Sequence, residues 1–220
     1  MMAENELVLG IDLGTTTVKV VLLRVSDEAV IGSWSRETKA SVASDAGSHG
    51  SEQDVSSIML AVDNCISEIP TNLTARITKI GVSGQMHGLV MWTKQSLNVT
   101  DHNSLASSSP SAVSKELTTS CFTKLSNLYT WQDGRCSTEF LSSIPTPKSH
   151  LRIATGFGCC TLFWLSRHES GCLERYRCAG TVQDFLVTIL CNHDAPVMST
   201  HNAASWGYFD PVTMTWDTDV

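Results

Sequence analysis

A short run near the start of the chain carries side chains suited to holding phosphate. It reads Gly-Ile-Asp-Leu-Gly-Thr-Thr-Thr-Val-Lys and spans residues 10–19. A glycine lets the backbone approach an anion closely, and threonine hydroxyls and turn amides can donate hydrogen bonds to phosphate oxygens. A glycine-containing hairpin with ordinary turn residues is the alternative interpretation. The residues predicted to hold phosphate are Gly14, Thr15, Thr16 and Thr17.

Two charged residues flank this turn. Asp12 stands at the end of an apolar run, where its carboxylate could bind a water molecule of a Mg²⁺ ion. Lys19 follows the turn and could neutralise the charge of a transferred group. The segment therefore predicts a site for phosphate and a Mg²⁺ ion.

A second glycine-rich segment carries groups that suit a sugar. It reads Gly-Val-Ser-Gly-Gln-Met-His-Gly and spans residues 81–88. His87 can donate and accept hydrogen bonds with hydroxyl groups, as can the amide of Gln85. Met86 offers a polarizable apolar edge for the face of a sugar ring. Without further information, a histidine that follows a strand can equally be a structural hydrogen-bonding residue.

A third segment, Trp-Gln-Asp-Gly-Arg, spans residues 131–135. Trp131 would form a flat wall for a carbohydrate, Asp133 would accept hydrogen bonds from its hydroxyls, and Arg135 would orient Asp133. An aspartate that caps a helix beside a buried tryptophan is the alternative.

The elements that must position these segments follow from the apolar pattern. Three strands in succession, a helix and a fourth strand give the order β-β-β-α-β, and one more strand follows; the helix starts from Ser51 as its N-cap and is stopped by Pro70. A tight turn at 84–88 joins the last two strands. The predicted strands are 7–13, 18–23, 29–35, 77–82 and 89–92, and the predicted helix has apolar positions from 55 to 69.

The rest of the chain is less regular. Residues 95–127 are rich in Ser and Thr and predict a surface loop insertion, with disorder near 107–110. The later predictions are a helix starting near Asp133, a helix at 161–168, an apolar segment at 182–191 and a strand at 203–209.

Composition narrows the function. The net charge of −7 and the absence of a Lys/Arg-rich run argue against nucleic acid. No apolar run is long enough to cross a bilayer, and the polar N-terminus does not resemble a signal peptide, so we expect a cytoplasmic protein without a membrane partner. In that compartment the eight cysteines are expected to be reduced thiols, with a disulfide scaffold or a zinc site as the alternatives.

Together these segments resemble the FGGY family of carbohydrate kinases. The run at 10–19 is similar to the first phosphate motif shared by sugar kinases, Hsp70 and actin, and the segments at 81–88 and 131–135 are similar to the sugar-binding motifs of the family. The resemblance implies an α/β fold, a ribonuclease-H-like (actin-like ATPase) N-terminal domain with a mixed sheet flanked by helices, over residues 1–220. It is weak over 37–50 and 95–127.

Two other segments also resemble the family. Thr155-Gly-Phe-Gly158 and Trp164-Leu165 are similar to the loop and helix that carry the fold onward, and we assign them to packing. In the similar segment that begins at Asn202, the side chains of Asn202 and Ser205 are candidates to face the pocket.

The resemblance further implies an enzyme that uses ATP and Mg²⁺ to phosphorylate a ketose, with a seven-carbon ketose expected and a pentulose as the alternative. The phosphate and sugar segments would then face one crevice. The catalytic base, an Asp in a Gly-Asp motif, and the C-terminal ATP-binding domain are expected beyond Val220, so we expect the chain alone to be inactive.

Two rival functions differ in class. An Hsp70-like chaperone ATPase would explain the phosphate turn but gives no reason for the segments at 81–88 and 131–135. A non-catalytic product that binds a sugar or regulates a partner is consistent with every residue considered. The oligomeric state cannot be read from the sequence.

Overall fold

The computed structural model describes residues 6–95 and 121–219, which form two compact units. Each unit combines strands and helices, so the α/β fold class is confirmed. The described residues of the first unit are 6–40, 56–84, 95 and 121, and those of the second unit are 41–55, 85–94 and 122–219.

The first unit is built on a four-stranded mixed sheet in the order β3-β2-β1-β6. Strands β1, β2 and β3 form an antiparallel meander, and β6 lies parallel to β1. The predicted meander and the strand at 77–82 are therefore confirmed. The strands are β1 (Leu7–Leu13), β2 (Thr17–Arg24), β3 (Val30–Glu37) and β6 (Ile77–Gly84).

Alternation of apolar residues explains this sheet. Successive side chains of a strand point to opposite faces, so every second residue of β1 and β2 lies on the same face. That face is buried, and burial of each such side chain stabilises the fold by about 1.5–3 kcal/mol. The buried residues are Leu7, Leu9, Ile11, Leu13, Val18, Val20 and Leu22.

The predicted helix is present as α1 (Val55–Ser67), and a short helix, α2 (Thr71–Thr74), follows it. The prediction of Ser51 as the N-cap was wrong, because α1 begins four residues later. The Ser51 N–H instead donates to Asp133 (2.8 Å), and its hydroxyl oxygen accepts a hydrogen bond from Thr130.

Short strands organise the second unit. Strand β7 lies between β8 and β10, β5 lies between β4 and β9, and β11 pairs with β12. These strands are β4 (Ser41–Val42), β5 (Glu52–Gln53), β7 (Val90–Lys94), β8 (Phe122–Leu125), β9 (Leu128–Tyr129), β10 (Cys178–Gly180), β11 (Phe209–Asp210) and β12 (Thr215–Trp216).

Helices pack around these strands. One buried cluster joins Leu89 and Met91 to Leu165, Cys172 and Trp206. The predicted helix at 161–168 is confirmed with an earlier start, and the apolar segment at 182–191 is a helix that begins with a capping box between Thr181 and Asp184. The helices are α3 (Thr138–Ser143), α4 (Gly158–His168), α5 (Val182–Leu190) and α6 (Thr200–Trp206).

The prediction of a helix start near Asp133 was wrong. Helix α3 begins at Thr138, where the Ser137 side chain accepts a hydrogen bond from Phe140 N as the N-cap. The Asp133 carboxylate cannot cap this helix because Arg135 and Ser51 occupy it. A local side-chain contact therefore competes with the helix for this residue.

The prediction of a strand at 203–209 was also wrong. Helix α6 occupies most of this segment, with Ser199 as its N-cap, and the chain leaves the helix at Gly207, whose φ is +98°. The buried residues Asn202, Ala203 and Trp206 lie on one helical face. Only the end of the segment, Phe209–Asp210, is a strand.

Most of the predicted loop insertion at 95–127 lies outside the described residues, as does the predicted disorder near 107–110. Its end contains strand β8. All eight cysteines are free thiols. Within residues 6–95 and 121–219, no helix has both the length and the apolar character needed to span a bilayer.

Two glycines of β6 give a matched test of the first unit. A Cβ at Gly84, where φ is +151°, would lie 2.6 Å from both the carbonyl oxygen and the Cβ of Leu13, whereas a Cβ at Gly81 would meet nothing within 4 Å. We expect Gly84→Ala to lower the free energy of unfolding by about 1–3 kcal/mol because the β1–β6 contact must open. Chemical denaturation measures this, and an equal loss in Gly81→Ala would contradict it.

Candidate functional site

The phosphate segment lies in the first unit, at the β1–β2 hairpin. Asp12 of β1 is the direct cross-strand partner of Lys19 of β2, and it is level with Ser83 of β6 on its other side. All three residues are exposed. Cross-strand partners share one face of a sheet, so a carboxylate, an ammonium group and a hydroxyl lie side by side on the solvent face. The motif did not single out Ser83, which only the parallel register reveals.

Thr38 fixes the turn that follows Asp12. Its N–H donates to the Thr16 carbonyl (2.9 Å), and its hydroxyl lies 3.4 and 3.3 Å from the carbonyl oxygens of Thr15 and Thr16. In a trans peptide the N–H points away from the C=O, so the N–H groups of Thr16 and Thr17 point away from Thr38. This is the orientation that an anion-binding turn needs.

Gly14 keeps this turn tight. A Cβ at Gly14 would lie only 2.7 Å from the carbonyl oxygen of Thr17. The exposed Asp12 carboxylate is a hard oxygen donor of the kind that Mg²⁺ prefers. The residues present therefore fit a Mg²⁺ ion that takes its other ligands from water and phosphate. In the described part of the chain no group of three or more His, Cys, Asp or Glu residues could enclose a metal ion by itself.

The sugar segments lie in the second unit, where His87 occupies a strained turn. Its φ is +70°, and the N–H of Gly88 donates to the carbonyl of Met86 across it (2.8 Å). A three-residue turn with positive φ at its centre is rare and costly for a residue other than glycine. Such strain persists only where neighbouring contacts hold it, and it is concentrated at functional sites.

Contacts fix both the ring and the backbone of His87. Its ring stacks on Phe157, with centroids 4.5 Å apart and 6° between the planes. Its Nδ1 lies 2.6 Å from the carbonyl oxygen of Ser205. Because a carbonyl oxygen can only accept, Nδ1 must carry the hydrogen, and the Nε2 of the neutral ring is then an acceptor. His87 thus offers one oriented lone pair to a hydroxyl donor.

The other two residues of this turn differ in exposure. Met86 is exposed, as a residue that contacts a sugar face would be. Gln85 is held by Gln53, whose Oε1 accepts from its Nε2 (3.1 Å), and by Gln183, which donates to its carbonyl (3.2 Å). The Oε1 of Gln85 is buried and makes no hydrogen bond to the described residues.

Trp131 is 47% exposed and can form a flat apolar wall. Its backbone is closely covered, because a Cβ at Gly156 would lie 2.2 Å from the Trp131 carbonyl oxygen. Next to it, the N–H of Gln132 donates to the hydroxyl oxygen of Thr130. The local backbone therefore fixes where the indole is presented.

Asp133 and Arg135 form a buried ion pair. Asp133 is fully buried, and its carboxylate accepts four hydrogen bonds, three from the backbone and guanidinium of Arg135 and one from Ser51 N. Four hydrogen bonds fill the lone-pair sites of a carboxylate. The predicted contact between Asp133 and a sugar hydroxyl stays a prediction, and in this geometry it would displace one of these bonds.

Arg135 also binds Glu52, at 2.7 Å, and its guanidinium lies over the rings of Tyr129 (4.3 Å) and Trp164 (5.2 Å). Burial opposes its charge, but hydrogen bonds and attraction from Asp133 and Glu52 outweigh burial and raise the pKa of Arg135. The sequence offered no signal for Glu52, which lies far from Arg135 along the chain.

The two residues predicted as further pocket candidates behave differently. The side chain of Asn202 is buried and donates to Thr181 and Asp184. Ser205 contributes its carbonyl oxygen to His87, while its hydroxyl donates to the carbonyl of Asn202. Asn202 therefore belongs to the interior, and Ser205 acts through its backbone.

Acid sensitivity should follow from Glu52. Burial favours its neutral form, but hydrogen bonds from Asn127, Ser44 and Arg135 outweigh burial, so the pKa of Glu52 lies below its ordinary value of 4.5. A lowered carboxyl pKa gives stability that is complete above the unfolded-state value and is lost as pH falls through the folded-state value. Glu52→Gln should therefore flatten the fall in melting temperature below pH 4.5.

The exposed Glu174 provides the control for this experiment. Glu174→Gln should keep the wild-type dependence of melting temperature on pH. Parallel curves for wild type and Glu52→Gln would show that Glu52 contributes nothing to acid stability.

Comparisons with known proteins identify the fold and the family of the chain. A solved xylulose kinase from Lactobacillus acidophilus has the same fold, with a TM-score of 0.70 at 20% identity over 97% of this chain and 39% of that one. Sedoheptulokinase of Homo sapiens is 44% identical over 99% of this chain. Xylulose kinase of Klebsiella pneumoniae is 27% identical over 90% of this chain.

The chain spans only part of these relatives, 45% of the human sedoheptulokinase and 36% of the Klebsiella xylulose kinase. The sequence model of the "FGGY family of carbohydrate kinases, N-terminal domain" matches residues 7–120, which is more than half of the chain. The chain therefore belongs to the FGGY family of carbohydrate kinases.

Proposed function

We propose that the enzyme to which this chain belongs transfers the γ-phosphoryl group of ATP to the terminal primary hydroxyl of sedoheptulose. The products are sedoheptulose 7-phosphate and ADP. The family supports the kinase chemistry, and the 44% identity to human sedoheptulokinase, against 27% to a xylulose kinase, favours the seven-carbon sugar. Its cytoplasmic location and its place in carbohydrate metabolism stay predictions.

The oriented lone pair of His87 carries this proposal. Nε2 accepts a hydrogen bond from one sugar hydroxyl, because Nδ1 is committed to Ser205. Met86 and Trp131 supply exposed apolar surface for the carbon skeleton. The amide of Gln85 adds a polar group in the same turn. Arg135 and Asp133 hold the backbone that presents Trp131.

In the phosphate turn, Gly14 admits the nucleotide phosphates, and the N–H groups and hydroxyls of Thr15, Thr16 and Thr17 bind their oxygens. Lys19 balances their negative charge. Asp12 would hold a Mg²⁺ ion through a water molecule, and that ion would neutralise part of the phosphate charge.

The reaction forms a bond between the sugar oxygen and the γ-phosphorus and breaks the bond from that phosphorus to the β-γ bridging oxygen. The sugar hydroxyl must lose its proton to a base. Two buried carboxylates of the second unit do not suit this role, because Asp133 is bound to Arg135, and Asp184 accepts hydrogen bonds from Thr181 and Asn202. We propose that a segment outside these 220 residues supplies the base.

The first test is ketose binding by the 220-residue chain, measured by titration calorimetry. We expect sedoheptulose to bind more tightly than xylulose, because this chain is more similar in sequence to sedoheptulokinase than to xylulose kinase. His87→Ala should weaken sedoheptulose binding about tenfold or more, because a sugar hydroxyl loses its acceptor.

His168→Ala is the matched control, because His168 also stacks on an aromatic ring and places its Nδ1 beside a carbonyl, but on the outer end of α4. It should leave the affinity for sedoheptulose unchanged. Tighter binding of xylulose would instead assign the chain to the pentulose kinases, and a chain that binds neither ketose would refute the sugar site.

The second test concerns turnover. We expect the 220-residue chain to release no ADP in response to sedoheptulose, because the proposal assigns the catalytic base to a segment outside these residues. A coupled ADP assay measures this, with Asp12→Asn as the background control. ADP release by the unmodified chain that disappears in Asp12→Asn would overturn the assignment of the base to another segment. A non-catalytic sugar-binding protein would also bind the ketose without turnover. A longer form of the chain that remains inactive would favour this alternative.

A further inference from the structure

We propose that residues Thr155–Gly158, which the sequence assigned to packing, position the sugar-binding groups, and that the ring of Phe157 sets the affinity for the ketose by holding His87. This inference rests on the proposed function, because it deepens the role of the same site. Phe157 acts through His87 and is therefore a positioning residue.

This four-residue segment contacts both predicted sugar-binding segments, residues 81–88 and residues 131–135. The Thr155 hydroxyl donates to the carbonyl of Asp133 (2.8 Å). Gly156 lies against the Trp131 carbonyl, at a φ of +79° that favours glycine. The N–H of Gly158 donates to the carbonyl of His87 (3.0 Å). Groups that are distant along the chain are thus fixed by one short loop.

The ring of His87 is held on one face and at one edge. Phe157 covers the face in a nearly parallel stack, and Ser205 binds Nδ1. Trp206, the residue after Ser205, donates its indole N–H to the carbonyl of Gly88 (2.8 Å). These contacts offset the strain of the positive φ at His87. Nε2 is left as the ring nitrogen that makes no hydrogen bond to the described residues.

Helix capping does not explain a phenylalanine at this position. Phe157 is the N-cap residue of α4, and no side chain caps this helix start. Ser, Thr, Asp or Asn at an N-cap stabilises a helix, and an apolar residue forgoes that contribution. A sequence that breaks a local rule in this way indicates a functional or strained site.

Phe157 also touches the buried cluster of Cys136, Ile144 and Cys160. If Phe157 had only a structural role, its replacement would change the folding stability and leave the affinity for the ketose unchanged. Phe163 is the matched control, because it lies in α4, which Phe157 precedes, and contacts the same cluster while its ring packs on Tyr208. The two phenylalanines therefore separate stability from positioning.

The experiment compares Phe157→Leu, Phe157→Tyr and Phe163→Leu in the 220-residue chain. Calorimetry gives the dissociation constant for sedoheptulose, thermal melting gives stability, and ¹⁵N NMR of the histidine rings gives the hydrogen position on His87. Phe157→Leu should bind about two- to tenfold more weakly, the range expected for loss of an aromatic pair. Phe157→Tyr, which keeps the stack, should bind like wild type.

Phe163→Leu should lower the melting temperature and leave the dissociation constant unchanged. In the ¹⁵N spectrum, wild-type His87 should show a protonated Nδ1 and an unprotonated Nε2. In Phe157→Leu the two nitrogens should move towards a common average, because the ring can turn and exchange tautomers. A Phe157→Leu affinity equal to wild type, or an equal loss of affinity in Phe163→Leu, would overturn the proposal.

A measurement on the unmodified chain remains decisive if Phe157→Leu does not fold. Addition of sedoheptulose should shift the Nε2 resonance of His87 and leave the Nδ1 resonance in place. Equal shifts of both resonances would refute the proposal that Phe157 and Ser205 hold the ring. If the wild-type chain binds no ketose, the proposed function fails. The positioning of the His87 ring is then judged separately, by whether its Nδ1 carries the hydrogen in the free protein.

Discussion

The guanidinium of Arg135 is the point at which the second unit is tied together. It joins Glu52 of β5 to Asp133 through charge-assisted hydrogen bonds, and it lies over the rings of Tyr129 and Trp164. A buried charge of this kind is tolerable only when every partner is in place, because each lost partner leaves an uncompensated ion. Segments that are remote along the chain are therefore held in one arrangement, and Trp131 is presented from it.

The strained turn at His87 depends on that arrangement. Its ring and backbone are held by Phe157 and Gly158, at the start of α4, and by Ser205, near the end of α6. Helix α4 also supplies Trp164 to the face of Arg135. The same helix thus connects the ion pair to the histidine. The imidazole of His87 becomes an oriented acceptor because these contacts hold both its ring and its backbone.

Regular patterns in the sequence predicted much of the first unit. Alternating apolar residues located β1 and β2, and the periodicity from Val55 located α1. The pattern was ambiguous at 203–209, where a short helix capped by Ser199 gave an alternation that also suits a strand. Short elements carry too few residues for their period to be decisive.

The partners of the candidate residues could not be predicted. The motifs selected Asp133 and His87, but nothing in their spacing indicates that four hydrogen bonds surround one or that Phe157 stacks on the other. Thr38 and Ser83 are similar cases, since only strand register brings them to the phosphate turn. Sequence reveals the type of chemical group, whereas long-range packing decides how many of its bonding positions remain for a ligand.

The close approach of Gly158 to Trp206 constrains how this chain can vary. A Cβ at Gly158 would lie 1.8 Å from the indole Nε1 of Trp206, so any larger residue there demands a smaller one at 206. A smaller residue at 206 would in turn leave the carbonyl of Gly88 without its indole donor. Neither position can be substituted alone, and substitution at both would loosen the turn at His87. Among homologues, the residues at positions 158 and 206 should therefore vary together.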